Sequence, residues 1–305
     1  MNSYKTGPWL VALAAFLWAI DAPFRKYVTG DLSSTTIVFM EHLLIALLVL
    51  PIFFRRFSEL KKISPLEWLA ILGIALGGSA LATVFFTESF SYVNPSVAIL
   101  LQKIQPFVAI LLATILLKEK LTKKFWLFAV LGIYGAYLVS FPSLNPGAIE
   151  VRAMTGVLLA LAAAVLWAAG TVFGRFALRR VAFQTLTALR FLGALVFLFF
   201  IEIYFHRLPE VTLASRTDWL FIFIIAIIAG FLSLFIYYKG LLTTKASVAT
   251  IMELIFPVSA VVINWIFLGS TLVFGQIVGG VILLCAVAGL SLVNSQTESP
   301  TPPTQ

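Results

Sequence analysis

The stretch Ala14-Ala15-Phe16-Leu17-Trp18-Ala19 returns in altered form as Ala163-Ala164-Val165-Leu166-Trp167-Ala168. The same order continues downstream. Trp68-Leu69 returns as Trp219-Leu220, Ser96-Val97-Ala98 as Ser247-Val248-Ala249, and Pro106 as Pro257. The first match is offset by 149 residues and the later ones by 151, so a small indel in one loop separates two otherwise collinear halves. Self-similarity at so long a period marks a duplicated structural unit.

The halves are too apolar for a soluble globule. Hydrophobic residues make up 61% of the chain and charged residues 11%, against roughly 25% charged in soluble domains. Ten apolar runs cover most of the sequence: about 9–28, 35–54, 66–88, 95–117, 123–141, 154–175, 184–204, 217–239, 247–268 and 272–293. A run of roughly 20 apolar residues suffices to cross the hydrocarbon core as a helix. The runs are continuous and do not alternate as lipid-facing strands must, which excludes a barrel. The sequence therefore predicts an all-α membrane protein with ten transmembrane helices. These form two five-helix repeats, 1–145 and 146–294, with a Ser/Thr/Pro-rich tail over 295–305 that reads as disordered. The first run sits where a signal peptide would, but it lacks a small-residue cleavage site and is the repeat partner of the sixth run; it is expected to be retained. The single cysteine, Cys285, excludes disulfides and Cys-rich metal sites and is expected to be inert packing in the tenth run.

A net charge of +8 might point to nucleic acid, but the basic residues are distributed by loop and form no patch. With a cytoplasmic amino terminus, inner segments hold Lys5, Arg55, Arg56, Lys61, Lys62, Lys118, Lys120, Lys123, Lys124, Arg175, Arg179, Arg180, Lys239 and Lys245. Outer segments hold only Arg25, Lys26, Arg152, Arg207 and Arg216. That is a positive-inside bias. Five runs per half oblige the two repeats to enter the membrane from opposite sides, and the loops agree. The basic Lys118-Glu119-Lys120-Leu121-Thr122-Lys123-Lys124 corresponds to the uncharged Gly269-Ser270-Thr271. The reading is an inverted repeat with both termini cytoplasmic, multi-pass in the cell (inner) membrane. Its partners are the lipid bilayer and a small-molecule substrate, not nucleic acid.

Duplicated, very apolar chains of this kind are most often secondary transporters. Five-plus-five inverted runs, Trp-Ala near the middle of runs one and six, and a proline inside runs four and nine resemble the drug/metabolite transporter superfamily. The chain is most similar to its EamA-like branch, over nearly its whole length to about Val293. In that family the fourth and ninth spans run through a proline to a leucine-glycine-glutamate-type end followed by leucine-threonine. Here the first copy reads Pro106-Phe107-Val108-Ala109 through Leu117-Lys118-Glu119-Lys120-Leu121-Thr122, and the second Pro257-Val258-Ser259-Ala260 through Leu268-Gly269-Ser270-Thr271-Leu272. Glu119 keeps the family acid and Ser270 does not. The family's alanine-leucine-arginine-phenylalanine element stands as Ala188-Leu189-Arg190-Phe191, while its repeat partner is Phe39-Met40-Glu41-His42. The resemblance implies the fold and transport in general, for cargoes as varied as amino acids, sugars, nucleotide conjugates and drugs.

Inside the apolar runs, each charged side chain needs a reason, since it costs roughly 2.5–3.5 kcal/mol at a helix centre on the insertion scale. The candidates are Asp21, Glu41, His42, Glu88, Lys103, Arg190, Lys239 and Glu253. The repeat maps Glu41 onto Arg190, Glu88 onto Lys239 and Gln102 onto Glu253, and the opposite signs suggest internal pairs. Proline removes a backbone donor and clashes with the carbonyl four residues earlier. For Pro106 that carbonyl is Gln102's and for Pro257 it is Glu253's, so the freed backbone falls at equivalent polar positions. Lys103 lies about 12 Å along its helix from Pro95 and Glu253 about 9 Å in from Ser247, both well inside the membrane.

Gln102, Lys103, Gln105 and Glu253 are therefore the expected lining of a substrate site. Lys103 would attract an anionic group, and Glu253 would bind an amine or carry a proton; a buried Lys103–Glu253 ion pair is the structural alternative. Arg190, about 9 Å in from Gln184, reaches either substrate or a helix end. Glu41 and His42 are further proton-coupling candidates, since histidine titrates near neutral pH, although neighbours about 100° apart on a helix cannot both face one cavity. Asp21 and Arg25, four apart around Pro23, form a local ion pair or an external gate. Trp18 and Trp167 are too deep for an interfacial belt and suit either cavity walls for an aromatic cargo or close packing. Gly73 with Gly77 and Gly275 with Gly279 mark close helix contacts.

The function expected is secondary active transport, by export, of a small organic metabolite such as an amino acid or a drug-like compound. It would work by alternating access, with proton coupling or exchange as the drive. No phosphate-binding glycine loop is present to use ATP. An intramembrane enzyme would need more than His42, His206 and Cys285 to build a metal site, and no nucleophile–base pair stands out; neither a catalytic residue nor a cofactor or metal is expected. A channel would need a longer polar lining. A flippase for a lipid-linked substrate is the remaining alternative. A single chain encloses enough spans for a cavity, and a dimer is left open.

Overall fold

The computed structural model describes residues 3–117, 123–141, 150–241, 244, 249 and 252–295. The loop carrying Lys118, Glu119 and Lys120, the residues Lys245 and Ser247, and the tail beyond Ser295 lie outside the described residues. Twelve helices are labelled here in chain order: α1 Ser3–Val28, α2 Ser34–Arg55, α3 Pro65–Ser89, α4 Pro95–Gln102, α5 Gln105–Leu117, α6 Lys123–Ser140, α7 Val151–Ala177, α8 Phe183–Tyr204, α9 Leu208–Leu213, α10 Arg216–Tyr237, α11 Ile255–Leu268 and α12 Phe274–Ser295. Among the described residues, eight stretches are long and apolar enough to cross a membrane, one of them running through α4 and α5, and α11 is a shorter apolar helix. The element order is helical throughout the described residues.

Local chemistry places the helix starts. Ser64 accepts from the Glu67 amide while Glu67 reaches back to the Ser64 amide, with Pro65 at the first helical position. This reciprocal cap satisfies two donors that a helix start leaves orphaned. Ser215 and Asp218 repeat it in the second half. Asn94 caps α4, again ahead of a proline. Gly269 ends α11 at φ 61°, a left-handed conformation that glycine adopts without Cβ strain.

The duplication extends to backbone irregularities. Residues Ile74–Leu81 of α3 and Ile225–Leu232 of α10 are both π-helical, at the 151-residue offset. Such segments are rare and often accompany functional sites. Breaks repeat as well. α4 ends at Lys103 (φ −69°, ψ 0°) and α5 begins at Gln105, one residue before Pro106. In the second half the turn falls at Leu254 (φ −68°, ψ −13°), ahead of Pro257.

The halves interlock. α1 packs on α10 and α11 of the second half, while α7 packs on α3, α4 and α5 of the first. Small residues permit the approach: a Cβ added to Gly78 in α3 would lie 3.3 Å from the Gly170 Cα in α7. At one edge α6 lies along α12, where a Cβ on Gly135 would lie 2.7 Å from the Gly279 carbonyl oxygen. At the other edge α2 lies along α8 and is clamped to it at both ends. Glu59, after α2, accepts from the Thr185 hydroxyl of α8. Glu210, after α8, accepts from the Ser33 amide at the start of α2 at 2.9 Å. Glu59 and Glu210 are repeat equivalents. The main core runs through α1, α3 to α7, α11 and α12, with a second cluster between α2, α8 and α10. Cys285 departs from the packing expectation: it is a free thiol on an exposed face of α12.

Candidate functional site

A cavity of about 360 Å³ opens where the broken helices, the π-helical segments and the interlocked α1 and α7 meet. The breaks present Gln102, Lys103 and Gln105 from the first half and Glu253 from the second. Trp18 of α1 and Trp167 of α7 line the same space, as do Glu41 and His42 of α2 and Arg190 of α8. Every candidate site residue from the sequence thus borders one cavity, together with Asp21 and Arg25. Glu88 and Lys239 do not, and no ion pair joins them.

The internal pairs differ from those the repeat suggested. Glu41 is held by Arg25, not Arg190, because the long Arg25 side chain reaches from α1 to α2. Arg25 donates through Nε to Asp21 at 2.7 Å, through Nη2 to Glu41 at 3.1 Å and through Nη1 to the Thr87 hydroxyl at 2.8 Å. Two carboxylates flank one guanidinium in a buried set, with only 4% of Arg25 exposed and Asp21 Oδ1 unpaired among the described residues. Arg190 donates through Nε to the Ser79 hydroxyl at 3.0 Å and lies over the Phe191 ring. His42 donates from Nδ1 to the Val38 carbonyl at 2.9 Å and turns Nε2 toward Ser79 at 3.4 Å. Both Glu41 and His42 border the cavity, which adjacent helical positions had argued against. The reason is that Glu41 reaches α1 while His42 reaches the π segment of α3.

Lys103 and Glu253 make no direct contact within 4.0 Å, though both border the cavity closely enough for their charges to interact. The ammonium sits instead over the Phe256 ring, 4.8 Å from its centroid, a favourable cation–π placement. Glu253 accepts from the Tyr237 hydroxyl at 2.6 Å, and Tyr237 packs on Trp18 with centroids 5.2 Å apart. Across the cavity Trp167 packs on Phe86, also at 5.2 Å. Phe86 and Tyr237 are repeat equivalents, so two matching aromatic pairs flank the space. Gln105 donates to Thr171 at 3.5 Å. Among the described residues no group of three or more His, Cys, Asp or Glu side chains is placed to hold a metal ion.

A model of the EamA-like transporter family matches residues 5–141 and again residues 154–292, one match for each half. The chain belongs to this family. As an EamA-like transporter it is 31% identical to the riboflavin transporter ImpX of Fusobacterium nucleatum over 299 residues, which cover 96% of this chain and all of that protein. It is 28% identical to PecM of Dickeya dadantii over 234 residues, 74% of this chain and 75% of that protein. One crystal structure, 16% identical, superposes with a TM-score of 0.61 over 96% of this chain and 98% of the other, which shows the fold alone.

Reading polar residues inside apolar runs missed several members of this EamA-like transporter's cavity. Ser79 and Thr83 are small hydroxyls that carry no insertion penalty worth noticing, and Phe86, Phe191 and Phe256 look like ordinary membrane residues. The available signal was the repeat itself: Phe86 and Tyr237 differ at equivalent positions, one with a hydroxyl and one without.

Proposed function

We propose that this protein is a secondary carrier that moves a flat aromatic solute of the riboflavin type across the cell (inner) membrane by alternating access. It would do so with ten spans in two inverted five-helix repeats and both termini in the cytoplasm. The observation that carries this reading is the cavity: about 360 Å³, flanked by the Trp18–Tyr237 and Trp167–Phe86 pairs and bordered by both helix breaks. Small-molecule sites span roughly 300–1,000 Å³ with largely apolar walls and a few placed polar groups. Similarity to a protein named as a riboflavin transporter, over that protein's whole length, supports the choice of solute.

Glu253 is the proposed proton-coupling group. Glu41 is occupied by Arg25 and the His42 Nδ1 by a carbonyl, whereas Glu253 faces the cavity with a single hydroxyl partner. Lys103, Gln102 and Gln105 are the proposed polar contacts of the solute, and Arg190 a further one. The carrier has no built-in energy module, so export and uptake both follow from the gradients imposed.

The test is counterflow in proteoliposomes made from the full chain, with labelled riboflavin inside and an unlabelled panel of flavins, amino acids and cationic drugs outside. Saturable flux that is trans-stimulated by riboflavin is expected. Flux that rises linearly without trans-stimulation would mean a channel, and scrambling of a lipid-linked cargo without riboflavin exchange would mean a flippase.

A further inference from the structure

Gln102 and Glu253 stand at equivalent positions beside equivalent helix breaks, yet their hydrogen bonding differs. Glu253 has the Tyr237 hydroxyl as a donor at 2.6 Å. The residue equivalent to Tyr237 is Phe86, which has none, and the Gln102 amide is left without a hydrogen-bond partner. Its Oε1 is buried and unsatisfied. Buried polar groups are almost always paired, because leaving one unmet forfeits its hydration without replacement. The amide borders the cavity, and rotation about its side-chain torsions would present this oxygen to a solute as a recognition element.

A primary amide presents a donor and an acceptor side by side. Its complement is a ligand edge with a carbonyl next to an N–H. The next residue, Lys103, supplies an ammonium to the same cavity with an aromatic ring beneath it and no carboxylate within 4.0 Å among the described residues. That donor matches a second carbonyl. Amide plus ammonium therefore fit an N–H flanked by two carbonyls, the cyclic imide, and the aromatic rings around them fit the flat ring system that carries it.

We propose that Gln102 and Lys103 recognise the imide edge of a planar heteroaromatic solute. The imide N–H donates to Gln102 Oε1, one carbonyl accepts from Gln102 Nε2 and the other accepts from Lys103 Nζ. This rests on the riboflavin-type reading above, since the riboflavin ring system ends in such an edge. Glu253 offers a fixed donor-and-acceptor edge only when protonated, whereas the Gln102 amide offers one throughout the cycle. The two breaks have divided their roles, one toward solute and one toward the proton.

The experiment uses the purified full chain in detergent and follows quenching of flavin fluorescence, comparing riboflavin with 3-methylriboflavin, in which the imide N–H is replaced by N–CH₃. Sites built to hydrogen-bond a group reject analogues lacking it strongly. Wild type is expected to bind riboflavin at least about tenfold tighter than the methyl analogue. Gln102→Met should bring the two affinities together, and Lys103→Met should weaken riboflavin binding while keeping the preference over the analogue. Equal wild-type affinities for the two flavins would overturn the imide assignment and leave riboflavin transport standing. Binding of neither would overturn both. The wild-type comparison decides the matter by itself if a variant fails to fold.

Discussion

On one side of the cavity stand Trp18 and Glu253, with Tyr237 packed against both; on the other, at equivalent positions, stand Trp167, Gln102 and Phe86. Ring spacing is 5.2 Å on both sides, with interplanar angles of 44° and 60°. Backbone devices match too: capping boxes, π segments and helix breaks all recur. At these three positions the difference is a carboxylate and a hydroxyl on one side against an amide and a bare ring on the other. Identical carboxylates at both positions would share one poorly solvated space, where like charges repel strongly. Duplication supplies the frame, and divergence at a few cavity positions supplies the chemistry.

The largest effect is expected where the halves differ most. α1 carries Asp21 and Arg25 where α7 carries Gly170 and Gly174. Arg25→Met leaves two buried carboxylates without their cation and should cost roughly 3–5 kcal/mol, seen as a large fall in melting temperature in detergent. Adding Asp21→Asn and Glu41→Gln should recover most of it, since neutral replacement of a whole buried ionic set is often tolerated. An unchanged melting temperature in Arg25→Met would mean that the set does not hold α1 to α2.

Making the flanks alike should have a smaller, kinetic effect. Tyr237→Phe converts the polar flank to the Phe86 type and removes a hydrogen bond to a carboxylate, worth about 1.5–3 kcal/mol. Riboflavin-driven proton movement should slow roughly tenfold. The reciprocal Phe86→Tyr should leave proton movement within about twofold, because Gln102 has no charge for the new hydroxyl to stabilise.

The smallest effect concerns the two clamps on the α2–α8 pair. Burial alone would raise the Glu210 pKa, but the amide and hydroxyl of Ser33 outweigh it and hold the carboxylate below its ordinary 4.5. A depressed folded value means the stabilisation is complete above about pH 4.5 and is lost as the pH falls through that lower value. Glu210→Gln should therefore flatten the acid limb of the melting-temperature profile. Glu59 is lowered by the Thr185 hydroxyl and Arg56; a third of its side chain (33%) is open to solvent, so Glu59→Gln should act in the same direction but less. Indistinguishable profiles for Glu210→Gln and wild type would remove the clamp.

Much of this was legible in the sequence. Continuous apolarity gave the helices, the two prolines gave the breaks to within a few residues, and the charged candidates singled out inside apolar runs border the cavity except Glu88 and Lys239; the fully buried Glu202, which accepts from Thr36, was not singled out. Pairing was not legible. The repeat placed Glu41 opposite Arg190, but the Arg25 side chain reaches from α1 to Glu41. Nor did composition reveal the π segments, which depend on how α3 and α10 pack, or the Tyr237–Glu253 bond, whose partners come from helices separated by residues outside the described set.

The most direct test of a proton-coupled carrier with Glu253 at its centre is riboflavin counterflow in proteoliposomes carrying an internal pH probe, wild type beside Glu253→Gln. Riboflavin should move protons in the wild type, while the variant should still exchange riboflavin but leave the internal pH unchanged. Proton movement surviving in Glu253→Gln, or riboflavin exchange without proton movement in both proteins, would contradict that assignment and return Glu253 to a structural role.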